Sequence, residues 1–145
     1  MERRLTKSLA AIAAGAMLVG MIAACGNDNH TISGPQVIQY TLTSIDSSPL
    51  PREISRSSDG TVTTVLDDMV LSMLEDKTWH VLGHQTVTTS GVPATQLVRN
   101  RGTYVPGDQT TTFRDRTGNV VWSGLVSENV DSLTSAGGHV WVFQR

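Results

Sequence analysis

Residues 101–129 read RGTYVPGDQTTTFRDRTGNVVWSGLVSEN, and this stretch decides the fold. Short runs rich in threonine, valine and aromatic residues are separated by PGD, RTGN and EN, which suit tight turns. Short strands with tight connections pair with their sequence neighbours in antiparallel fashion. The stretch therefore predicts successive β-hairpins.

The same pattern continues on both sides of this stretch. VIQYTLTSID (37–46), TWHVLGHQTVT (78–88) and HVWVFQR (139–145) are further candidate strands. Turn signals recur about every 8 to 12 residues, which is the spacing of an all-β sandwich or barrel. From Gln36 to the last residue, the chain is predicted to form one all-β domain.

The N-terminal segment has a different composition. Arg3, Arg4 and Lys7 outweigh Glu2, and residues 9–24 form an uncharged run of 16 residues. This run is shorter than the roughly 20 apolar residues that a membrane-spanning helix needs. A basic start followed by a short apolar run predicts a secretory signal peptide.

The end of this segment, Ile22-Ala23-Ala24-Cys25, resembles the lipobox of bacterial lipoproteins. The resemblance implies cleavage of residues 1–24 and a diacylglyceryl group on the Cys25 thiol. The polar segment that follows, GNDNHTISGP (26–35), contains glycine and proline and predicts a flexible tether over residues 25–35. Two or three acyl chains anchor a protein stably, whereas one does not. The expected location is a bacterial membrane, either the outer membrane or the outer face of the plasma membrane. The alternative is an ordinary signal peptide followed by a cysteine without a lipid.

Charge and composition exclude several classes of function. Residues 25–145 carry eight Lys or Arg and twelve Asp or Glu, without a basic stripe, so nucleic acid is not an expected partner. Cys25 is the only cysteine, so no disulfide is expected. The chain contains no Gly-x-Ser-x-Gly motif and no phosphate-binding glycine loop, and we expect neither a cofactor nor an enzymatic activity.

Four segments together resemble the small lipocalin-like domains of bacterial secreted lipoproteins. They are YTLTSIDSSPLP (40–51), RGTYVPGDQTTTFRD (101–115), GNVVWSGLVSEN (118–129) and HVWVFQR (139–145). The resemblance implies a single up-and-down antiparallel barrel of about eight strands over residues 36–145, with no catalytic residue. An eight-stranded barrel is filled by side chains or holds one small ligand.

Residues 65–76 allow two interpretations. Their apolar residues Val65, Leu66, Met69, Val70, Met73 and Leu74 have helical spacing. A strand interpretation instead places Leu71 and Met73 on one face. The lipocalin-like resemblance favours the strand, although Lys77 stands where that family usually has a turn glycine.

The candidate ligand-pocket residues are aromatic: Tyr40, Trp79, Trp122, Trp141 and Phe143. Side chains that face inward from several strands meet inside a barrel, where they either fill the core or line a pocket for a small apolar or amphipathic ligand. Trp141 and Phe143 are two apart on one predicted strand, so they share a face, and we expect that face to point inward.

The polar candidates are histidines and arginines. His80 and His84 lie on one face of a predicted strand, about 13 Å apart, which is too far to share a metal ion. His139 would be a third ligand, but surface histidines are the simpler interpretation, and no metal site is predicted. Arg99 and Arg101 share a face and form either an anion site at the rim or ordinary solvated surface.

Two hypotheses about function follow. In the first, a lipid-anchored barrel binds a small hydrophobic or amphipathic molecule. In the second, a barrel with a filled core acts as a non-catalytic interaction or structural protein of the cell envelope. The packing of the barrel interior discriminates between them.

Overall fold

A computed structural model describes residues 36–145, and every regular element in that range is a β-strand. The strands are β1 (Val37–Ile45), β2 (Ser48–Pro49), β3 (Arg52–Arg56), β4 (Val62–Leu74), β5 (Thr78–Thr89), β6 (Val92–Val105), β7 (Thr111–Asp115), β8 (Val120–Leu125), β9 (Val130–Ser135) and β10 (Val140–Gln144). The all-β prediction is confirmed. Within this range there is no helix with the length and apolarity to cross a membrane.

The sheet closes into an up-and-down antiparallel barrel. From β4 to β10 each strand pairs with the next one in sequence, and β1 pairs with both β10 and β4. Eight strands therefore form the closed barrel, while β2 and β3 are additional strands at its margin. This is the predicted barrel, and it is consistent with a lipocalin-like architecture.

Strand β1 divides its length between its two neighbours. Residues 37–41 pair with β4, and residues 41–45 pair with β10. Where β1 no longer pairs with β4, the short strand β3 takes its place beside β4, beginning with Arg52 opposite Leu66. The barrel is therefore closed by two half-length ladders on one strand.

Residues 65–74 belong to β4 and residues 75–76 to the turn that follows, which resolves the choice in favour of the strand. The ladder with β5 shifts between Leu66 and Asp68, so that an extra residue, Asp67, is accommodated in a β-bulge. Leu66 before the bulge and Met69 after it are both buried. The bulge therefore produces the spacing of three residues that resembles a helix.

The turn between β4 and β5 uses Lys77 where a glycine was expected. Lys77 has a φ of 66°, which is in the left-handed region. Asp76 Oδ1 accepts hydrogen bonds from the backbone N–H of Thr78 at 2.9 Å and from the Thr78 hydroxyl at 2.5 Å. These bonds hold the start of β5 and offset the conformational cost at Lys77, about 1–2 kcal/mol.

The β5–β6 hairpin extends beyond the closed barrel. β6 pairs with β5 from Val92 to Thr103, but β7 covers only residues 102–105 on the other side of β6. Residues 92–101 are exposed except for Val98, which is half-buried. This segment is therefore an open sheet edge that is accessible to solvent.

Candidate functional site

The aromatic side chains of the barrel interior form one contiguous group. The Trp122 ring centroid lies 5.3 Å from that of Trp79, 5.7 Å from Trp141, 6.1 Å from Phe143 and 6.3 Å from Phe113. We call these five residues, together with Tyr104, the aromatic cluster. Tilted and edge-to-face geometries at these distances are favourable for aromatic pairs.

Trp79 is held at the junction of β6 and β7. Its indole Nε1 donates to the carbonyl oxygens of both Thr103 and Arg114, each at 3.0 Å. The residue opposite it in the ladder is Gly102, where a Cβ atom would lie only 1.8 Å from the Arg114 carbonyl oxygen. The close approach of β6 and β7 therefore requires glycine at position 102.

Two members of the cluster, Phe113 and Tyr104, were not among the predicted pocket residues. Phe113 is completely buried, and its ring centroid lies 5.8 Å from that of Tyr104. The Tyr104 hydroxyl donates to the Leu74 carbonyl oxygen at 2.8 Å. The sequence signal for Phe113 was the alternation of TTTFRD, in which Thr111 and Phe113 share the buried face.

Tyr40 is buried in the same core, and its hydroxyl makes a hydrogen bond to a loop. It donates to the Ser127 carbonyl oxygen at 2.9 Å, linking β1 to the loop between β8 and β9. Burial, followed by the nearby Asp131 carboxylate, raises the pKa of Tyr40. Tyr40 is thus a core residue with a satisfied hydroxyl, away from the ring contacts of the cluster.

On β10, the face that carries Trp141 and Phe143 points inward, as predicted. Phe143 is completely buried, Trp141 is half-buried against the core, and Val140 is exposed. The indole nitrogen of Trp141 is shielded from solvent and has no hydrogen-bond partner within residues 36–145. Phe143 is therefore a core residue of the barrel.

One charged group lies inside the barrel. Asp131 on β9 is 0% exposed, and its Oδ1 accepts the backbone N–H of Ser127 at 3.0 Å. Among the described residues, no group donates to its Oδ2. Burial raises the pKa of Asp131 to about 6, although the Ser127 bond acts in the opposite direction.

The outer surface has two adjoining hollows, of about 500 Å³ and 610 Å³, beside β5 and β6. Both are lined by His80, Arg101 and Arg116, and Arg99 lines the first. The register places His80 opposite Arg101 and Leu82 opposite Arg99, so these four side chains share the outer face of the sheet. We call His80, Arg99, Arg101 and Arg116 the basic groove.

The two other histidines within residues 36–145 each contact a carboxylate, at separate places. His84 Nδ1 lies 3.0 Å from both carboxylate oxygens of Asp68, and His139 Nδ1 lies 2.8 Å from Asp46 Oδ2. Across residues 36–145, no group of three His, Cys, Asp or Glu side chains is arranged to hold a metal ion.

The signal peptide, the tether and the lipid on Cys25 all concern residues 1–35, which lie outside the described part of the chain. Comparison with protein-family models, curated proteins and solved structures finds no match to this chain.

Proposed function

We propose that this protein is a non-catalytic interaction protein of a bacterial cell envelope, anchored by a lipid on Cys25, with a filled barrel that presents its outer face to a partner. The observation that carries this proposal is the aromatic cluster. Trp79, Phe113 and Phe143 are among the largest fully buried side chains, and Trp122 contacts all three.

The energetics of the cluster support a core and not a pocket. Fully burying a large apolar side chain stabilises a protein by about 1.5–3 kcal/mol, and favourable ring pairs add about 0.5–1.5 kcal/mol each. A ligand that entered the barrel would have to displace several of these rings at once. The hydrogen bonds of Trp79 to both Thr103 and Arg114 oppose such a displacement further.

The features open to a partner are on the outside. The basic groove and the open edge of β6 adjoin each other, and Leu82 and Leu97 beside them are 48% and 45% exposed. A lipid anchor on Cys25, about ten residues before the barrel, would tether the domain to the membrane. Association would then take place at high local concentration.

The experiment is a titration of the purified domain with a dansyl-labelled fatty acid, read as energy transfer from tryptophan. A filled interior predicts no saturable transfer, and unlabelled fatty acid should displace nothing. Saturable one-to-one binding would instead establish a carrier of small hydrophobic or amphipathic molecules and would overturn the proposal.

A second measurement tests the interaction itself. A photoreactive residue placed at Leu97 should give a discrete crosslinked product in intact cells. The same residue at Val120, which is exposed on β8, is the matched control. Equal crosslinking from both positions, or from neither, would contradict a partner that contacts the β5–β6 face.

A further inference from the structure

The open edge of β6 differs from the other edges of this sheet. β2 has two residues, and β3 has five residues with a bulge between Glu53 and Ser55, which are features that prevent edge-to-edge pairing. Residues 92–101 of β6 pair with β5 without any register shift. On the other side of β6, no strand within residues 36–145 pairs with them.

The direction of the unpaired backbone groups follows from Pro93. Pro93 has no N–H, and it lies in the ladder opposite Thr88, so its nitrogen is placed most favourably on the open side. In an antiparallel ladder, alternate residues direct their N–H and C=O groups to the same side. Thr95, Leu97 and Arg99 therefore present their backbone groups to solvent along the edge.

The basic groove lies at the end of this edge. β7 stops pairing with β6 at Asp115 opposite Gly102, and Arg116 follows in the turn. No carboxylate oxygen within the described chain lies within 4.0 Å of the side-chain nitrogens of Arg99, Arg101 or Arg116. The three guanidinium groups are thus available to an added anion.

We propose that the edge of β6 binds an extended acidic peptide segment of the partner protein, which adds a strand in line with β7 and places its carboxylates on Arg99, Arg101 and Arg116. This inference rests on the proposed interaction function and specifies the chemistry of the partner. Main-chain hydrogen bonds supply affinity in strand addition, and alternate side chains supply specificity.

Charge and shape favour this occupant over others. A second copy of β6 would bring the sequence VPATQLVRNR, which contains two arginines and no acidic residue, and would therefore offer no complementary charge. A small anion would fill the groove but leave the outward backbone groups of Thr95, Leu97 and Arg99 without a partner strand. An acidic strand would pair with the backbone groups of the edge and would also place carboxylates on the arginines. Its acidic side chains would be two residues apart, which matches the spacing of Arg99 and Arg101.

The experiment uses residues 25–145 and a blocked synthetic peptide of about twelve residues in which glutamate and valine alternate. Binding is measured by fluorescence anisotropy, and the edge amides by hydrogen exchange. We expect saturable binding that weakens with salt and slower exchange at Thr95, Leu97 and Arg99. A peptide with glutamine in place of glutamate, and one with alternate N-methylated amides, should each bind at least about tenfold more weakly.

The variants separate charge from backbone. Arg99→Gln with Arg101→Gln should weaken binding at least about tenfold, whereas Arg56→Gln, which removes a guanidinium paired with Glu53, should not. Leu97→Pro removes one outward N–H and should weaken binding while thermal unfolding stays cooperative.

Three outcomes would overturn the inference. They are full affinity of the N-methylated peptide, amide protection that rises with protein concentration in the absence of peptide, and no binding by a folded protein. The second would identify a second copy as the occupant. The proposed function fails separately, through fatty-acid uptake, so the two failures are distinguishable.

Discussion

Asp131 on β9 and Phe143 on β10 lie directly opposite each other in the ladder, and both are 0% exposed. The barrel thus packs a carboxylate and a phenyl ring side by side in its interior. Two predictions concern this pair, one about packing and one about pH.

Phe143→Ala should lower the free energy of unfolding by about 3–5 kcal/mol, because it removes a completely buried ring that contacts Trp122. Val142→Thr, on the opposite face of β10, should cost much less. Denaturant titration of both variants gives the comparison. The opposite ranking would mean that the face assignment of β10 is wrong.

The stability should depend on pH through Asp131. Its pKa rises from 3.8 to about 6 on folding, so between these values the folded protein binds more protons than the unfolded chain. Stability therefore falls as the pH rises from about 4 to about 6, by about 3 kcal/mol in total, and levels off above that range.

Asp131→Asn should abolish this decrease, and the control Asp108→Asn, at an exposed loop position, should retain it. Thermal or denaturant unfolding at several pH values measures the difference between parent and variant. Surface carboxylates with a lowered pKa, such as Asp46 and Asp115, make the stability rise with pH below about pH 4. Parent and variant share this contribution, so it cancels in the difference between their stabilities. Parallel pH profiles for parent and Asp131→Asn would contradict the prediction.

Gly102→Ala should destabilise the barrel by at least about 2 kcal/mol, because the added Cβ would lie 1.8 Å from the Arg114 carbonyl oxygen and the strands must separate. Gly137→Ala is the matched control, since its nearest neighbour would be 3.6 Å away, and it should change stability by less than about 0.5 kcal/mol. Equal effects would indicate that β6 and β7 can separate at little cost.

Cys25→Ser should leave the protein without a lipid, either uncleaved or released from the membrane. Metabolic labelling with a radioactive fatty acid and membrane fractionation provide the measurement. An unlabelled parent that fractionates like the variant would refute the lipid anchor, and the membrane tether would then be removed from the proposed function.

The antiparallel hairpins could be predicted from the sequence because turns and alternation are local signals, whereas the choice of a barrel over a sandwich came from the lipocalin-like resemblance. Strand breaks at PGD, RTGN and EN separate β6 through β9 as expected. The bulge at Asp67 was not predictable from alternation, because an extra residue changes the phase of the pattern and brings Leu66 and Met69 to the same side. Judged by periodicity alone, a spacing of three residues between buried positions indicates a helix.

The candidate site was predicted less completely. Inward positions of Trp122 and Phe143 follow from alternation, but the open edge of β6 depends on where β7 stops pairing. The point where β7 stops pairing is determined by the register between β6 and β7. Apart from Pro93, the sequence VPATQLVRNR contains no local signal for it. Likewise, nothing near Arg116 indicates that it lies beside Arg99 and Arg101.

The division of β1 between β4 and β10 also constrains the order in which the chain folds. Thr43 on β1 donates its hydroxyl hydrogen to the Val142 carbonyl oxygen at 3.0 Å, across a separation of 99 residues. Contacts so distant in sequence form slowly, because the intervening chain must first be ordered. The hairpins from β4 to β9 pair neighbours in sequence and can form early, whereas the C-terminal half of β1 has to wait for β10. Deletion of β10 should therefore leave the sheet open between β1 and β9.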